Sequence, residues 1–260
     1  MNKVVVGNWK MFPTLSDSLV LATALKKGLE DVSGVEIVLA PPLSWLVSVR
    51  ESWKHKSPHL HFAAQNIWPE DQGAFTGETS VYLLKDIVEY AIVGHSERRK
   101  YGREDNDLIQ EKIQACLKWR IIPVICVGEE KRIIHGDGTI DSYQWGKLAE
   151  QLMAALEGIS RDKLGGIIIA YEPVWAIGTN NPATPAYALK LIDRLRARVA
   201  EKYGDLPSRE LRFIYGGSVN GSNCADYLRH PEIAGLLPGS ASVKAQEFIA
   251  ICQQASHLRG

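Results

Sequence analysis

Eight short apolar runs, rich in β-branched residues, recur along the chain, and most of them are continuously apolar. Strands that are buried on both faces of a parallel sheet have this composition, whereas strands with one solvated face alternate between apolar and polar residues. The runs cover residues 3–9, 35–40, 60–65, 90–95, 121–128, 166–172, 211–217 and 233–239. We therefore predict eight buried parallel strands.

Segments with helical periodicity separate these runs. Between positions 16 and 30, apolar residues return to one face of a helix, and Ser16 is placed to cap its N-terminus. Further helices are predicted over residues 107–118, 143–156 and 187–203, with shorter ones over 81–84 and 224–228. Helices between parallel strands supply the crossover connections that such a sheet requires.

Strand and helix alternate without a polar linker, a low-complexity tract or a shift in composition, which predicts a single domain over residues 1–260. Eight βα units in a chain of this length favour an α/β fold with a closed (β/α)₈ barrel. The alternative is an open, doubly wound sheet. Such a sheet normally carries a glycine-rich fingerprint after its first strand, and this chain has Gly-Asn-Trp-Lys-Met there.

Charge and cysteine content narrow the class of protein. The chain has 30 Lys and Arg against 30 Asp and Glu, so no global charge favours a nucleic-acid partner and any anion site must be local. The four cysteines form no Cys-x-x-Cys pair, which argues against a metal or redox motif and favours free thiols in a reducing compartment. Neither a signal peptide nor a membrane-spanning run is recognisable, so we expect a cytoplasmic protein without a membrane partner.

Four chemically useful side chains follow the predicted strands. Asn8 and Lys10 come after the first strand, His95 after the fourth, and Glu172 after the sixth. Each alone has an ordinary structural explanation, such as a solvated lysine or a partly buried histidine. Glu172 is the most informative, because a carboxylate beside an apolar loop is costly without a purpose. In a barrel the C-terminal strand ends meet on one face, so together these residues predict proton abstraction next to a carbonyl.

Two further features refine that prediction. Ser96 and Glu97 resemble the first turn of a helix, whose positive end would favour a neutral imidazole at His95 that donates a hydrogen bond. Gly-Gly-Ser at 216–218 and Pro-Gly-Ser at 238–240 are usually tight turns, but on neighbouring strand ends they offer backbone N–H groups to a phosphate. The sequence thus favours a small phosphorylated substrate.

Six segments carry a resemblance to a known family. They are VGNWKM (6–11), AQN to GAFTGE (64–78), VGHSERR (93–99), ICVGE (125–129), AYEPVWAIGT (170–179) and YGGSV (215–219). In this order, at these strand ends, the chain resembles the triosephosphate isomerase family along nearly its whole length. The resemblance implies a TIM barrel and the interconversion of dihydroxyacetone phosphate and glyceraldehyde 3-phosphate in glycolysis and gluconeogenesis. It implies neither a metal nor an organic cofactor.

The resemblance also implies roles for individual residues. Glu172 would be the base and His95 the neutral electrophile. This family is itself a well-known example of pKa tuning, so these roles are not new. Lys10 and Asn8 would help to bind substrate and steady the enediolate. Glu97 would support Lys10 and the region of the histidine, and Ser96 would start the helix that tunes the imidazole. The phosphate would be held by backbone N–H groups of Gly178, Ser218, Gly239 and Ser240.

The same resemblance implies functions for two loops. Residues 173–179 would form a mobile lid whose apolar side chains exclude water from the substrate. The long connection over residues 65–78 would enter a neighbouring subunit, with Thr76 reaching towards the partner's active site. A homodimer is therefore expected, although a tetramer stays open.

The chain departs from the family pattern at two places. After the eighth strand Pro238 and Ser240 replace the usual Val and Gly, and Ser240 would be strained if its φ had to be positive. Residues 100–104 lack a Phe that the family carries, which leaves the packing there open.

Two other functions are considered: a non-catalytic relative that binds a phospho-ligand or partner, and an isomerase for a longer phosphosugar.

Overall fold

The computed structural model describes residues 2–53, 57–179 and 181–258. Eight parallel strands pair in sequence order, and the first pairs with the last, so the sheet closes into a barrel. The strands are β1 Lys3–Asn8, β2 Val35–Ala40, β3 Leu60–Ala64, β4 Tyr90–Val93, β5 Ile122–Val127, β6 Ile168–Tyr171, β7 Arg212–Gly217 and β8 Gly235–Pro238. The predicted (β/α)₈ barrel and its eight strands are confirmed.

Helices surround the barrel. They are α1 Leu15–Gly28, α2 Leu43–Glu51, α3 Val81–Leu84, α4 Ser96–Tyr101, α5 Asn106–Lys118, α6 Ser142–Ala155, α7 Pro185–Tyr203, α8 Asp205–Glu210, α9 Cys224–Leu228 and α10 Ala245–His257. The six predicted helices correspond to α1, α3, α5, α6, α7 and α9. The sequence reasoning missed α2, α8 and α10, although buried Phe248, Cys252 and Ala255 in α10 follow a helical spacing. No helix in the described ranges is both long and apolar enough to cross a lipid bilayer.

The predicted cap of α1 is wrong. The helix begins at Leu15, one residue earlier than expected, so its N-cap is Thr14 and Ser16 lies inside the first turn. The Thr14 hydroxyl accepts a hydrogen bond from the backbone N–H of Asp17 at 3.2 Å and donates one to the Asp17 carboxylate at 2.7 Å. Both residue types can cap a helix, and the chain direction before the helix decided which one does.

Both faces of the sheet are buried, which explains the continuously apolar runs. Val4 and Val6 of β1 belong to a cluster of strand side chains inside the barrel, together with Ile92 and Ile214. Val5, between them, belongs to the larger cluster that also contains the buried helix residues. Because successive side chains of a strand point to opposite faces, each strand supplies both layers.

Polar groups occupy the N-terminal end of the barrel. Glu36, near the start of β2, accepts hydrogen bonds from the Tyr90 hydroxyl and from Arg212 Nη1, the latter at 2.6 Å. Tyr90 and Arg212 are the first residues of β4 and β7. This network links strands across the barrel at the end opposite to the predicted site.

Ion pairs hold the segment whose packing the sequence left open. Gly102 follows α4, and Arg103 adopts the left-handed region with φ 55°. The chain then turns inward, so that Glu104 is buried and its Oε1 accepts hydrogen bonds from Arg98 Nε at 2.7 Å and Lys112 Nζ at 2.6 Å. Two ion pairs thus anchor the end of this segment at Glu104.

Candidate active site

A cavity of about 290 Å³ opens at the C-terminal ends of the strands. Residues after β1, β4, β6, β7 and β8 all contribute to its wall, because the closed barrel turns these strand ends towards one axis. The predicted residues that line it are Asn8, Lys10, His95, Glu97, Glu172, Gly178, Ser218, Gly239 and Ser240. Of the predicted residues, Ser96 and Thr76 do not line this cavity.

The carboxylate of Glu172 and the imidazole of His95 face each other. Glu172 Oε1 lies 3.3 Å from His95 Nε2, and both side chains are about 95% buried, at 5% and 6% exposure. The backbone N–H of Glu172 donates to the Val127 carbonyl at 2.8 Å, which extends the β5–β6 pairing to the catalytic candidate. Among the described residues, Glu172 Oε2 is buried and has no hydrogen-bond partner. That oxygen keeps lone pairs that can accept a proton.

A glycine on β7 makes room for this carboxylate. A Cβ at Gly216 would lie 2.7 Å from Glu172 Cγ and 3.1 Å from its Oε1, closer than side chains pack. A Cβ at Gly128, after β5, would lie 1.7 Å from the Glu172 carbonyl oxygen. These two glycines therefore let the neighbouring strands approach Glu172 from both sides.

The start of α4 determines the tautomer of His95. His95 is the N-cap of this helix, and its Nδ1 accepts a hydrogen bond from the backbone N–H of Glu97 at 3.2 Å. A nitrogen that accepts such a bond carries its lone pair, so the ring is neutral and its proton is on Nε2. Ser96, the first residue of α4, places the ring but does not touch the cavity. The Nε2 proton therefore points towards Glu172.

Lys10 is held in an unusual backbone conformation beside the cavity. Its φ is 51°, in the left-handed region that non-glycine residues rarely adopt. The Asn8 side chain accepts its N–H at 3.0 Å, and Gln65 Nε2 donates to its carbonyl at 2.8 Å. Its ammonium donates to Glu97 Oε1 at 2.5 Å. The surrounding hydrogen bonds thus set a cation on the cavity wall, paired with one carboxylate.

The turns after β7 and β8 lie on the same wall. Ser240 opens a 3₁₀ turn over Ser240–Val243 and is not among the residues with positive φ, so the strain considered for it does not arise. Gly239 lies directly against the lysine, since a Cβ there would be 3.1 Å from Lys10 Cε. The Ser218 hydroxyl donates to the Ala176 carbonyl at 2.9 Å, which ties the turn after β7 to the loop after Glu172.

Sequence reasoning assigned no role to Glu129, which lies behind that loop. Its side chain is almost fully buried, and its Oε1 accepts hydrogen bonds from the Tyr171 hydroxyl at 2.9 Å, Trp175 Nε1 at 2.9 Å and the Tyr187 hydroxyl at 3.1 Å. Burial raises the pKa of Glu129, and these three donors oppose that rise. The signal was readable, because Glu129 follows a buried strand just as Glu172 does.

Cys126 was treated in the sequence as an ordinary thiol, but it lies inside the barrel beneath Glu172. Burial is the main cause that raises the pKa of Cys126, and the negative charge of the nearby Glu172 carboxylate adds to the effect. The thiol therefore stays protonated and neutral on the inner face of β5. Only the alternation of β5 could have indicated this, by placing Cys126 on the inner face.

Thr76 lies apart, on the loop after β3. Residues 72–78 are exposed, and a second cavity of about 330 Å³ adjoins the first. Its wall shares Lys10, His95 and Glu97 with the first cavity and continues along the base of the loop through Gly77 and Thr79.

The described ranges contain no group of three or more His, Cys, Asp or Glu side chains that could hold a metal ion. The expected absence of a cofactor stays a prediction.

Comparison with known proteins agrees with this geometry. The sequence model of the family described as triosephosphate isomerase matches residues 3–255. A triosephosphate isomerase of Dehalococcoides mccartyi is 40% identical over 256 residues, which is 98% of either chain. One of Chloroflexus aurantiacus is 40% identical over 95% of this chain and 97% of its own, and one of Roseiflexus is 39% identical over 95% of both. The chain belongs to the triosephosphate isomerase family.

Proposed function

We propose that this isomerase interconverts dihydroxyacetone phosphate and D-glyceraldehyde 3-phosphate, with Glu172, His95, Lys10 and Asn8 at the reacting atoms. The observation that carries the proposal is one small cavity in which a buried carboxylate faces a neutral imidazole N–H at 3.3 Å, with an ammonium beside them. A base, a hydrogen-bond donor and a cation are what enolisation next to a carbonyl requires.

The first step breaks a C–H bond. Glu172 takes the proton from C1 of dihydroxyacetone phosphate, the electron pair forms the C1–C2 double bond, and the C2 oxygen becomes negative. His95 Nε2–H donates to that oxygen, and the Lys10 ammonium stabilises its charge. Both groups are fixed before substrate arrives, by the Glu97 N–H on Nδ1 and the Glu97 carboxylate on Nζ. Preorganised donors of this kind act without reorganising during the reaction.

The second step returns the proton to the neighbouring carbon. Glu172 delivers it to C2, the C1 hydroxyl loses its proton to become the aldehyde, and the C2 oxygen gains one. Net charge is unchanged, so no further acid or base is consumed. His95 Nε2 lies 3.3 Å from Glu172 Oε1, and we assign the same imidazole to both oxygens of the enediolate.

The phosphate group is assigned to the turns after β7 and β8 and to the loop after β6. Gly178, Ser218, Gly239 and Ser240 all line the cavity. We assign the phosphate to their backbone N–H groups, because clusters of N–H groups in such turns bind anions. Ile177 and Gly178, from the loop after β6, line the same cavity. We assign residues 173–179 as a lid that excludes water and so limits loss of phosphate from the enediolate.

The departure at Ser240 should be neutral. Because Ser240 is not in the left-handed region, replacing it with glycine relieves no strain, and the backbone N–H is kept in both proteins. We expect the Ser240→Gly enzyme to have a KM for glyceraldehyde 3-phosphate within about twofold of the original. Steady-state kinetics measure this. An improvement of tenfold or more would show that the serine backbone is strained after all.

A coupled assay of glyceraldehyde 3-phosphate conversion tests the function itself. Turnover of the triose phosphates, with little turnover of four- and five-carbon aldose and ketose phosphates, is the expected result. Preference for a longer phosphosugar would reassign the substrate. A protein that binds 2-phosphoglycolate, a mimic of the enediolate, but turns nothing over would be the non-catalytic relative.

We also infer that the protein is a homodimer assembled through the loop over residues 65–78. The loop has a fixed base, where Asp71 accepts bonds from Lys118 and Trp119 at 2.6 and 2.7 Å, and an exposed tip that carries Phe75 and Thr76. We assign the cavity of about 330 Å³ beside the active site to the loop of a second copy, and Met11, which lines it, is 94% exposed. A second copy would cover these apolar groups and fill that cavity.

A charged side chain at the loop tip should break this dimer. In Thr76→Arg, a long side chain replaces a small one at the loop tip, and its guanidinium would have to lose water to enter a cavity whose wall carries Lys10 and Arg98 as well as Glu78 and Glu97. Bulk and desolvation oppose its entry, so we expect a monomer by light scattering. Because that cavity shares a wall with the site, kcat/KM should fall about ten- to a hundredfold. Thr139→Arg, at an exposed position on another loop, is the matched control. A Thr76→Arg protein that stays dimeric, or an original protein that is monomeric, contradicts the interface.

Cytoplasmic location is part of the same proposal. Cys116, Cys126, Cys224 and Cys252 are all free and buried. Free thiols are common where glutathione keeps cysteines reduced and uncommon in oxidising compartments.

A further inference from the structure

One residue between the lid and α7 is held on both sides by tyrosine hydroxyls. Ala183 is fully buried and precedes Thr184, the N-cap of α7. Its backbone N–H donates to the Tyr215 hydroxyl oxygen at 3.2 Å, and its carbonyl accepts from the Tyr227 hydroxyl at 2.5 Å. Both polar backbone groups of Ala183, four residues after the lid, are therefore fixed by side chains from elsewhere in the barrel.

The two tyrosines form one rigid unit. Their rings are parallel within 7°, with centroids 4.3 Å apart, and both are buried. Tyr215 lies on β7, but Tyr227 comes from α9, a separate short helix. Burial raises the pKa of Tyr227, so its hydroxyl keeps the proton that it donates to Ala183. A buried hydroxyl is costly unless it has a partner, which makes the Ala183 carbonyl a specific anchor.

The same unit connects to the reacting groups. Tyr215 is followed on β7 by Gly216, against which Glu172 packs, and then by the turn whose Ser218 hydroxyl donates to the lid at Ala176. In this arrangement lid residues Ile177 and Gly178 face the cavity. Fixing the peptide at Ala183 thus favours the lid position that covers the site.

We propose that Tyr227 is a positioning residue for the lid, and that its hydroxyl bond to the Ala183 carbonyl stabilises the arrangement in which the lid faces the active site. Its kinetic consequences rest on the proposed function, but its effect on the lid backbone does not. One buried hydrogen bond changes the equilibrium between two lid positions by about three- to tenfold. The residue acts through the lid and touches no reacting atom.

Two matched variants separate lid positioning from general stability. Tyr227→Phe removes the hydroxyl and keeps the stacked ring. Tyr203→Phe is the control, because Tyr203 is also buried and its hydroxyl also donates to a backbone carbonyl, that of Leu156, outside the lid. Both variants lose one buried hydroxyl–carbonyl bond, so both should lose a similar amount of thermal stability.

The first measurement is hydrogen exchange of the lid amides over residues 174–179 in the free protein. In Tyr227→Phe these amides should exchange about three- to tenfold faster, while in Tyr203→Phe they should be unchanged. Equal protection of the lid in both variants would overturn the proposal. Because no turnover is needed, this result stands even if the protein proves to have no isomerase activity.

The second measurement is ligand affinity and the fate of the enediolate. In Tyr227→Phe, the Kd for 2-phosphoglycolate should rise about three- to tenfold and more inorganic phosphate should be released per turnover, whereas Tyr203→Phe should match the original protein. A Tyr227→Phe enzyme with unchanged affinity and unchanged phosphate release would show that the tyrosine is merely structural. An original protein without turnover would refute the proposed function and leave the hydrogen-exchange result to decide the role of Tyr227.

Discussion

Replacing Glu172 with glutamine should lower kcat by about three to four orders of magnitude, the largest effect expected in this chain. The amide has the shape of the carboxylate but accepts a proton from carbon far less readily, so the step at C1 loses its base. Glu172→Asp keeps the carboxylate and withdraws it from the substrate by one methylene. Because a misplacement of about 1 Å can cost a hundredfold, we expect an intermediate loss for the aspartate variant.

Steady-state kinetics with glyceraldehyde 3-phosphate measure both variants. Glu210→Gln, at an exposed position outside the cavity, is the matched control and should retain full activity. Binding of 2-phosphoglycolate, followed by calorimetry, tells whether the pocket still holds a phosphorylated ligand. A Glu172→Gln enzyme within tenfold of the original kcat would remove Glu172 from the role of base.

Replacing His95 with glutamine should lower kcat by about two to three orders of magnitude, with a smaller change in KM. The variant loses the Nε2–H, which points towards Glu172. In the reaction this N–H stabilises the negative oxygen. Binding of the ground state depends more on the phosphate turns, so the loss should appear mainly in turnover. His257→Gln, at an exposed position near the end of α10, is the matched control.

The double variant Glu172→Gln/His95→Gln tests whether the two residues act in one step. If the base and the donor serve the same transition state, the double variant should be little slower than Glu172→Gln alone. Two losses that simply multiply would indicate that His95 acts in a separate step, for example in binding. An active His95→Gln enzyme, within threefold of the original, would contradict the role of the imidazole altogether.

Most of the barrel was predictable, because a strand that is buried on both faces needs a continuous run of apolar residues, and such a run is visible in the sequence. Most strands are continuously apolar over several residues, and the helices α5, α6 and α7 repeat apolar residues at a helical period, so residue order alone indicates both elements. The cap of α1 was not predictable to the residue, because Thr14 and Ser16 are both good caps. Prolines obscured two of the missed helices: α2 follows Pro41 and Pro42, and α8 contains Pro207, so both segments resemble turns in the sequence.

The candidate site was predictable in composition and only partly in geometry. Glu172, His95 and Lys10 were identifiable because they follow apolar strands, where an acid, a histidine or a lysine is unusual. Glu129 carried the same signal, but its three donors, Tyr171, Trp175 and Tyr187, come from separate elements. Nothing near it in sequence indicates that they converge.

The amino-acid sequence by itself determined the eightfold order of strands and helices and the residue types that stand at the strand ends. Only the tertiary structure decided the proton position on His95, the left-handed backbone of Lys10, the unstrained turn at Ser240 and the hold of Tyr227 on Ala183. The physical reason is the range of the interactions. Periodicity and apolar content are local properties of the chain, whereas these hydrogen bonds and dihedral angles depend on how barrel closure sets distant strand ends and loops beside each other.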